Sequence, residues 1–301
     1  MENQTTTSGF ILVGLTNVTY LQPFCFSVFL MMYVLTLFGN LLLIIVVRIN
    51  SRLQTPMYFF LSNLSFIDIC FSSTIVPKIL INTLSQDTSI SFLGCAAQMY
   101  FSLALGSTEC FILAVMAFDR YAAICKPLHY NVIMNKKLCF SLAAGSWAAS
   151  FINAFIQIPL TFQLPYCRSH HINHFFCEMP PFFHLSCRDT WINELSMYIA
   201  TGIIAMSSFF LTVISYIHII STILKISSSQ GRHKTFSTCA SHLTVVSLFY
   251  GTIMSMYLRP HSVYIPETDK TISILYTTVT PMLNPIIYSI RNEEIKEKLL
   301  K

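Results

Sequence analysis

The sequence predicts an all-α membrane protein, a single domain built as a bundle of seven transmembrane helices. The chain has 301 residues, of which 54% are hydrophobic and only 10% carry a formal charge. Soluble domains have about 25% charged residues, so much of this protein's surface must contact lipid. Seven long apolar stretches are separated by shorter segments that hold most of the charges. Because seven is odd, the two ends of the chain should lie on opposite sides of the membrane.

Each apolar stretch is long enough to cross a bilayer, since a spanning helix needs about 20 mostly apolar residues. The stretches must be helices rather than open strands, because hydrocarbon contains no water to satisfy exposed backbone groups. We expect the bundle to occupy residues 23–290, between an N-terminal segment, 1–22, and a short tail, 291–301. In order, the stretches are Phe24–Val47, Met57–Ile81, Phe92–Phe118, one within Leu138–Cys167, one within Leu195–Leu224, Thr235–Leu258 and Thr271–Ile290.

The positions of Lys and Arg predict the orientation. Short cytoplasmic loops are enriched in these residues, and 13 of the 18 fall in the first, third and fifth loops and the tail. We therefore expect an extracellular N-terminus and a cytosolic C-terminus. The first residues lack the basic and apolar regions of a cleavable signal peptide, so the first helix should act as a signal anchor. The expected outer side carries glycosylation acceptors at Asn3 and Asn17.

Four of the ten cysteines fall on the expected outer side, at Cys95, Cys167, Cys177 and Cys187. An oxidising compartment favours disulfides among them, and their spacing leaves all three pairings open. The same loop contains a histidine-rich stretch ending His174-Phe175-Phe176-Cys177-Glu178, which has the composition of a metal site. If Cys177 is in a disulfide, no thiolate remains to bind a metal, and the histidines are then expected to be hydrated loop residues.

Two carboxylates, Asp68 and Glu109, lie near the middle of the second and third spans. Unpaired charges are costly there, so one carboxyl is protonated or a cation binds between them. Asn40 and Asn284 could complete an oxygen-rich pocket for sodium. The alternative is a hydrogen-bonded polar core that fixes the positions of the helices. No other cofactor is expected.

A second polar group marks the end of the third span, at Asp119-Arg120-Tyr121. It is either a charged anchor at the membrane boundary or a switch. The seventh span contains Pro281 and Pro285, which interrupt backbone hydrogen bonds and weaken the helix locally. Tyr288 lies one turn beyond Asn284 toward the cytosolic side, and Tyr216 should lie at a similar depth. Both tyrosines could reach Arg120 when the helices rearrange, which favours the switch. The alternative for each tyrosine alone is an aromatic anchor at the interface.

Four segments in order resemble the odorant receptor family, a branch of the rhodopsin-like G-protein-coupled receptors. They are Pro56–Leu61, Met116–Tyr130, Lys234–Leu243 and Pro281–Tyr288, and the similarity extends over nearly the whole chain. The family usually has Tyr where this chain has Phe118, Val in place of Ala122 and Ala in place of Thr235.

The resemblance implies features that spacing alone does not. It implies the disulfides Cys95–Cys177 and Cys167–Cys187. It also implies that Arg120, with Asp119 and Tyr121, holds a cytoplasmic cavity closed until the sixth helix moves outward. The partner would then be a heterotrimeric G protein of the stimulatory or olfactory type, which raises cyclic AMP at the plasma membrane. Residues 291–301 are similar to a short amphipathic helix lying on the inner leaflet.

In this receptor class the ligand is expected in the outer half of the bundle. Helical spacing, in steps of three and four residues, traces inward-facing stripes there, although such stripes more often reflect ordinary helix packing. The lining is apolar with a few hydroxyls, which suits a small, volatile, mostly neutral odorant. The expected ligand-binding residues are Met99, Ser102, Leu103, Gly106, Ser107, Glu178, Met179, Thr201, Ile204, Ala205, Tyr250, Ile253, Met254, Tyr257, Ile274 and Thr277.

Other classes of function fit the sequence less well. A transporter or channel should show internal repeats or a chain of ion ligands at mid-membrane, and neither is present in the sequence. An enzyme needs a nucleophile with a base or a metal set, but His218 and His242 have no Cys or acidic residue at a suitable spacing. The basic residues are not clustered into a patch, which argues against nucleic acid. The nearest alternative is the same receptor machinery sensing a metabolite.

Overall fold

The computed structural model describes residues 9–15, 19–85, 87–167, 170–257 and 266–290. The predicted glycosylation acceptors, Asn3 and Asn17, and the predicted tail helix, 291–301, lie outside these residues.

Six helices in the described residues are long and apolar enough to cross a membrane. They begin and end within a few residues of the predicted spans, except that the third continues past Phe118 to Cys125. The chain is therefore a multi-pass membrane protein, as predicted. The helices are α1 (Gln22–Ile49), α2 (Pro56–Leu84), α3 (Phe92–Cys125), α5 (Lys136–Phe162), α7 (Trp191–Leu224) and α8 (Ser229–Tyr257).

The seventh span is a helix of mixed geometry. It begins as α9 (Pro266–Ile274), widens to a π-helical turn at Leu275–Val279 and continues as α10 (Thr280–Ile290). Single π turns of this kind are rare and occur mostly at functional sites. Two short helices lie in loops, α4 (Tyr130–Ile133) and α6 (Met179–Phe183). The predicted fold of seven membrane helices is confirmed.

Local sequence signals set several helix starts. The hydroxyl of Ser91 accepts a hydrogen bond from the backbone N–H of Gly94 at 3.0 Å, which caps α3. Asn135 caps α5 in the same way, through the N–H of Leu138 at 2.9 Å. Pro56 occupies the first position of α2, where its missing N–H costs nothing.

A small sheet covers one end of the bundle. Its central strand, β1 (Gly9–Leu12), pairs antiparallel with β2 (Ser89–Ser91) and parallel with β3 (His171–Ile172). At Gly9 the strands approach so closely that a Cβ would stand 2.2 Å from the backbone oxygen of Ile90. The sheet therefore joins the N-terminal segment to two loops that are distant in sequence.

Two disulfides fix the same end of the molecule. Cys95, at the start of α3, bonds Cys177, and Cys167 bonds Cys187 within the loop. These are the two pairings that the family resemblance implies. We call the segment His171–Phe183 the lid, the end of the bundle it covers the lid end, and the opposite end the Arg120 end.

Lipid contact explains the outer surface. Large apolar side chains such as Phe38, Phe140, Phe155 and Ile203 are more than half exposed on the helices. Helix α3 lies at the centre of the bundle, where Ile112, Leu113 and Met116 are fully buried. Asn40 of α1 donates to the backbone oxygen of Pro281 at 3.0 Å, which ties the first helix to the seventh.

Candidate functional site

An internal cavity opens between the helices directly beneath the lid. The space between atoms here is about 750 Å³, part of which is open to solvent, and it is bounded by α2, α3, α7, α8, the π turn and the lid. Most of the predicted ligand-binding residues line it: Met99, Ser102, Leu103, Gly106, Ser107, Glu178, Met179, Thr201, Ile204, Ala205 and Ile253. Phe71, Glu109, Cys110, Phe176, Phe249 and Tyr276 complete the lining. The structure thus brings residues from six segments of the chain around one space.

Other residues expected in the ligand site are placed elsewhere. Tyr250 packs against the ring of Phe209 and donates its hydroxyl to the backbone oxygen of Cys110 at 3.2 Å. Met254 lines a separate, smaller cavity between α7 and α8. The side chain of Tyr257 lies outside the described residues.

The π turn explains the difference in the seventh span. Ile274 and Thr277 are not among the cavity-lining residues, and the hydroxyl of Thr277 donates to the backbone oxygen of Ser273 at 2.6 Å. A π turn adds one residue to a helical turn, so positions from Leu275 onward, including Thr277, rotate relative to an α-helical count, whereas Ile274 precedes the turn. Tyr276 lines the cavity instead.

The lid is tightly packed and connected to the seventh span. Phe176, Cys177, Glu178 and Met179 are each at most 4% exposed. The hydroxyl of Tyr276 donates a hydrogen bond of 2.6 Å to Oε1 of Glu178. A buried carboxylate needs such partners, because an unsatisfied one loses its hydration without compensation.

His174 is buried in the lid, contrary to the expectation of a hydrated loop residue. It is fully buried, and its Nε2 lies 3.9 Å from Oε2 of Glu178. Burial, together with the nearby Lys270 ammonium, lowers the pKa of His174 to about 3, so its ring is neutral at physiological pH. Across the described segments, no three His, Cys, Asp or Glu side chains are grouped to hold a metal ion.

A polar cluster lies deeper in the bundle. The amide of Asn284 donates to both carboxylate oxygens of Asp68, at 3.2 and 3.0 Å. Asn40, Asp68, Glu109 and Asn284 are all at most 4% exposed. Four buried oxygens have no hydrogen-bond partner within the described part of the chain, and the atoms are Oδ1 of Asn40, Oγ of Ser72, Oε1 of Glu109 and Oδ1 of Asn284. Oxygen atoms left in this state suit a hard cation.

Close helix contact supports this cluster. A Cβ at Gly39 would lie 3.0 Å from Cγ of Pro285, so the glycine lets α1 approach α10 at the proline. Pro285 itself is buried inside α10. The Gly39-Asn40 pair thus combines a packing role with a hydrogen-bonding role.

At the Arg120 end, Asp119 and Arg120 have different surroundings. Oδ1 of Asp119 accepts a hydrogen bond from the hydroxyl of Tyr130 at 2.8 Å, which connects α3 to the following loop. Nε of Arg120 is buried, with no hydrogen-bond partner in the residues that the structure describes. The hydroxyl of Tyr288 is likewise buried and without a partner there. Asp119 is therefore held by Tyr130, whereas the neighbouring Arg120 has an Nε–H donor without a partner in these residues.

Tyr216 is held by a histidine rather than by Arg120. Its hydroxyl lies 2.8 Å from Nδ1 of His242, and the two rings stack. Nε2 of His242 lies 3.1 Å from the backbone oxygen of Leu113. Since a carbonyl only accepts, Nε2 carries the proton and Nδ1 accepts from Tyr216. One imidazole thus links α3, α7 and α8.

Comparison with known proteins accounts for this arrangement. A family model described as "Olfactory receptor" matches residues 29–301. Olfactory receptor 8U9 of Mus musculus is 50% identical over 299 residues, covering 99% of this chain and 95% of the relative. Olfactory receptor OR9H1 of Homo sapiens is 48% identical over 299 residues, covering 99% and 97%. The chain belongs to the olfactory receptor family. This confirms the resemblance seen in the four sequence segments.

Membership settles the class of function. The relatives of this olfactory receptor are receptors and not enzymes. The family has odorant ligands and G-protein partners in general. Within this olfactory receptor, the Tyr216–His242 contact lies deeper in the bundle than the cavity under the lid, since Leu113, which His242 contacts, is one helical turn beyond the cavity-lining Cys110.

Sequence reasoning missed several site residues of this receptor. His242 and Tyr130 were set aside or overlooked because no partner lies at a suitable spacing along the chain. Their partners, Tyr216 and Asp119, come from other segments. Phe71 and Phe249 carry no signal beyond being apolar, since any inward helix face is apolar.

Proposed function

We propose that this receptor binds a small, mostly neutral, volatile odorant in the cavity beneath the lid. The observation that carries the proposal is the composition of the lining, which is largely apolar with a few hydroxyls. Among the described lining residues none is Lys, Arg or His. A ligand would be held by dispersion and by hydrogen bonds from groups such as Ser102, Ser107 and Thr201. A carboxylate ligand would face Glu109 and Glu178 without a compensating cation.

Binding would be transmitted to the Arg120 end. With the proposed extracellular N-terminus, that end faces the cytosol of a cell whose plasma membrane holds the receptor. Outward movement of α8 would break the Tyr216–His242 contact and expose Arg120, Tyr121 and Tyr288 to a G protein. We propose the stimulatory or olfactory type, so that activation raises cyclic AMP. The tail, 291–301, would lie along the inner leaflet.

The direct test is cyclic AMP accumulation in cells exposed to a panel of alcohols, aldehydes, ketones, esters, aromatics and matching acids. We expect neutral compounds to activate more strongly than the acids of the same carbon skeleton. Arg120→Ala should abolish the response. Arg188→Ala is the matched control, because Arg188 is exposed on the lid-side loop. Acids as the strongest agonists, or an undiminished response in Arg120→Ala, would refute the proposal.

We also propose that a sodium ion binds the polar cluster of Asp68 and Glu109 with Asn40 and Asn284. The four buried oxygens without a partner in the described residues support it, since they lie beside two carboxyl groups and oxygen is the ligand that hard cations prefer. Replacing sodium with N-methyl-glucamine should lower the thermal stability of purified receptor. Asp68→Asn should remove that dependence. A sodium-dependent stability that survives in Asp68→Asn would place the ion elsewhere.

A further inference from the structure

A second, smaller cavity lies at the seam between α7 and α8. The space between atoms here is about 270 Å³, part of which is open to the outside. It is lined by Tyr198, Thr201, Gly202, Ala205, Met206, Ile253 and Met254. Thr201, Ala205 and Ile253 also line the main cavity. The two spaces are therefore separated by shared side chains and not by a helix.

The smaller cavity faces lipid. Gly202 lies between Ile199 and Ile203 on the surface of α7, and these are 53% and 65% exposed. No atom lies within 4 Å of the position that a Cβ at Gly202 would occupy. A larger residue there would project into open space at the seam, so the glycine leaves a gap in the helix wall.

The residues around this gap can move at low cost. Met206 and Met254 are unbranched side chains that adapt to irregular spaces. Further toward the Arg120 end, the seam is fixed by the ring contact of Phe209 with Tyr250 and by the Tyr216–His242 hydrogen bond. The gap thus lies above the part of the seam that these contacts close.

The lid offers no comparable opening. Phe175, Phe176, Cys177, Glu178 and Met179 are consecutive and each at most 4% exposed. The Cys95–Cys177 disulfide and the pairing of β3 with β1 hold the lid against the bundle. Moving this unit would expose several buried aromatic rings together, whereas moving Met206 or Met254 changes one rotamer.

We propose that ligands reach the main cavity from the membrane, through a portal at Gly202 between α7 and α8. This inference rests on the proposed function and deepens it by specifying the ligand class. Ligands would be uncharged compounds that partition into the lid-side leaflet before they bind. Charged compounds would be excluded by the membrane step itself, in addition to the acidic groups of the cavity.

The test measures access to the cavity without requiring an agonist. Ser102→Cys places a thiol in the main cavity, and purified receptor in lipid nanodiscs is treated with N-ethylmaleimide, which is neutral and membrane-permeant. Labelling of that position is followed by peptide mass spectrometry, which separates it from Cys110. A parallel sample receives a methanethiosulfonate with a quaternary ammonium group, which stays in water.

Gly202→Leu should fill the open space at the portal and slow maleimide labelling about tenfold, which corresponds to a barrier higher by about 1.4 kcal/mol. Gly145→Leu is the matched control, because Gly145 is an exposed membrane-helix glycine on α5 that also has no atom within 4 Å of its Cβ position. It should leave the rate unchanged. Equal rates in the two variants would overturn the proposal, as would labelling by the charged reagent as fast as by the maleimide.

Met206→Ala keeps the proposal testable if Gly202→Leu fails to fold. It widens the portal and should accelerate maleimide labelling, so an unchanged rate would also contradict the proposal. For any agonist found in the odorant panel, Gly202→Leu should slow both onset and washout with a nearly unchanged half-maximal concentration, because a route alters rates and not equilibria. If Gly202→Leu slows labelling but no odorant activates the receptor, the proposed function is refuted and the portal is not.

Discussion

The hydroxyl of Tyr276 donates a 2.6 Å hydrogen bond to the buried carboxylate of Glu178, joining the seventh helix to the lid above the cavity. Both residues also line that cavity. A ligand that touches either side chain therefore acts on the contact between lid and helix. The Tyr216–His242 contact joins α7 to α8 deeper in the bundle.

Tyr276→Phe should destabilise the receptor. The substitution removes the hydroxyl that donates to Oε1 of Glu178. Loss of this hydrogen bond to a buried carboxylate costs about 1–3 kcal/mol of stability. Thermal unfolding of purified receptor in detergent measures the loss. Tyr20→Phe is the control, because Tyr20 is 80% exposed. Equal midpoints for Tyr276→Phe and wild type would contradict a stabilising role for the bond.

The stability of the lid should depend on pH through His174. Its pKa is lowered to about 3 by burial and the Lys270 charge, from an ordinary value of 6.5. Between pH 6.5 and pH 3 the unfolded chain therefore binds a proton that the folded chain does not. The free energy of unfolding then falls as the pH falls from 6.5 toward 3. The slope is at most about 1.4 kcal/mol per pH unit for one group.

His174→Asn should flatten this part of the pH–stability profile measured by thermal unfolding. His170→Asn is the matched control, since His170 lies on the same loop but is exposed. If both variants keep the wild-type slope, His174 is not the group responsible.

His242→Leu should raise basal signalling. His242 links α8 to α7 through Tyr216 and to α3 through Leu113, so its removal weakens the closed arrangement more than an open one. Loss of about 1 kcal/mol corresponds to a rise of about fivefold in the open population. Basal cyclic AMP, corrected for surface receptor, measures it. Thr244→Val is the control, because Thr244 is exposed on the same helix and bonds only within it. Basal cyclic AMP at or below wild type in His242→Leu would contradict this role.

Gly9→Val should disrupt the small sheet. A Cβ there would collide with the backbone oxygen of Ile90, which belongs to the paired strand and cannot rotate away. We expect a cost of about 1–3 kcal/mol or loss of β1 pairing, seen as lower thermal stability and less receptor at the cell surface. Gly14→Val is the matched control, since no atom lies within 4 Å of that position. Similar losses in both variants would show a general intolerance of this segment to valine.

The spans and much of the cavity were predictable because they depend on local periodicity. Arg48 marks the end of α1 to within one residue, and the stripe through Met99, Ser102 and Leu103 follows the regular geometry of α3. On the seventh span the structure places Tyr276 at the cavity rather than Ile274 and Thr277, and the π turn at Leu275–Val279 changes the register of Thr277 without an obvious sequence signal. A prediction that assumes about 3.6 residues per turn throughout the helix misplaces the positions that follow a π turn.

Features that depend on distant segments were not predictable from the chain alone. Strand β1 contains Gly9 and only three further residues, and it exists because two loops supply its partners. His174 carries the composition of a hydrated loop but is enclosed by Phe175 and Phe176, which pack around its ring. Helix α3 continues to Cys125 because a helix can extend beyond the apolar region once its own hydrogen bonds are made.

The pairing of β1 with β3 also constrains the order in which the protein can be assembled. β1 is synthesised among the first residues and, with the proposed topology, is translocated early. Its partner at His171–Ile172 emerges about 160 residues later. Until then β1 can pair only with β2, which emerges about 80 residues after it. Phe10 and Leu12, which are buried in the finished protein, therefore lack part of their cover in the lumen of the secretory pathway. Such a segment is prone to aggregation. Efficient production of this receptor should therefore depend on luminal chaperones. They would shield the N-terminal segment until the fourth membrane helix, α5, has been inserted and the lid has been synthesised.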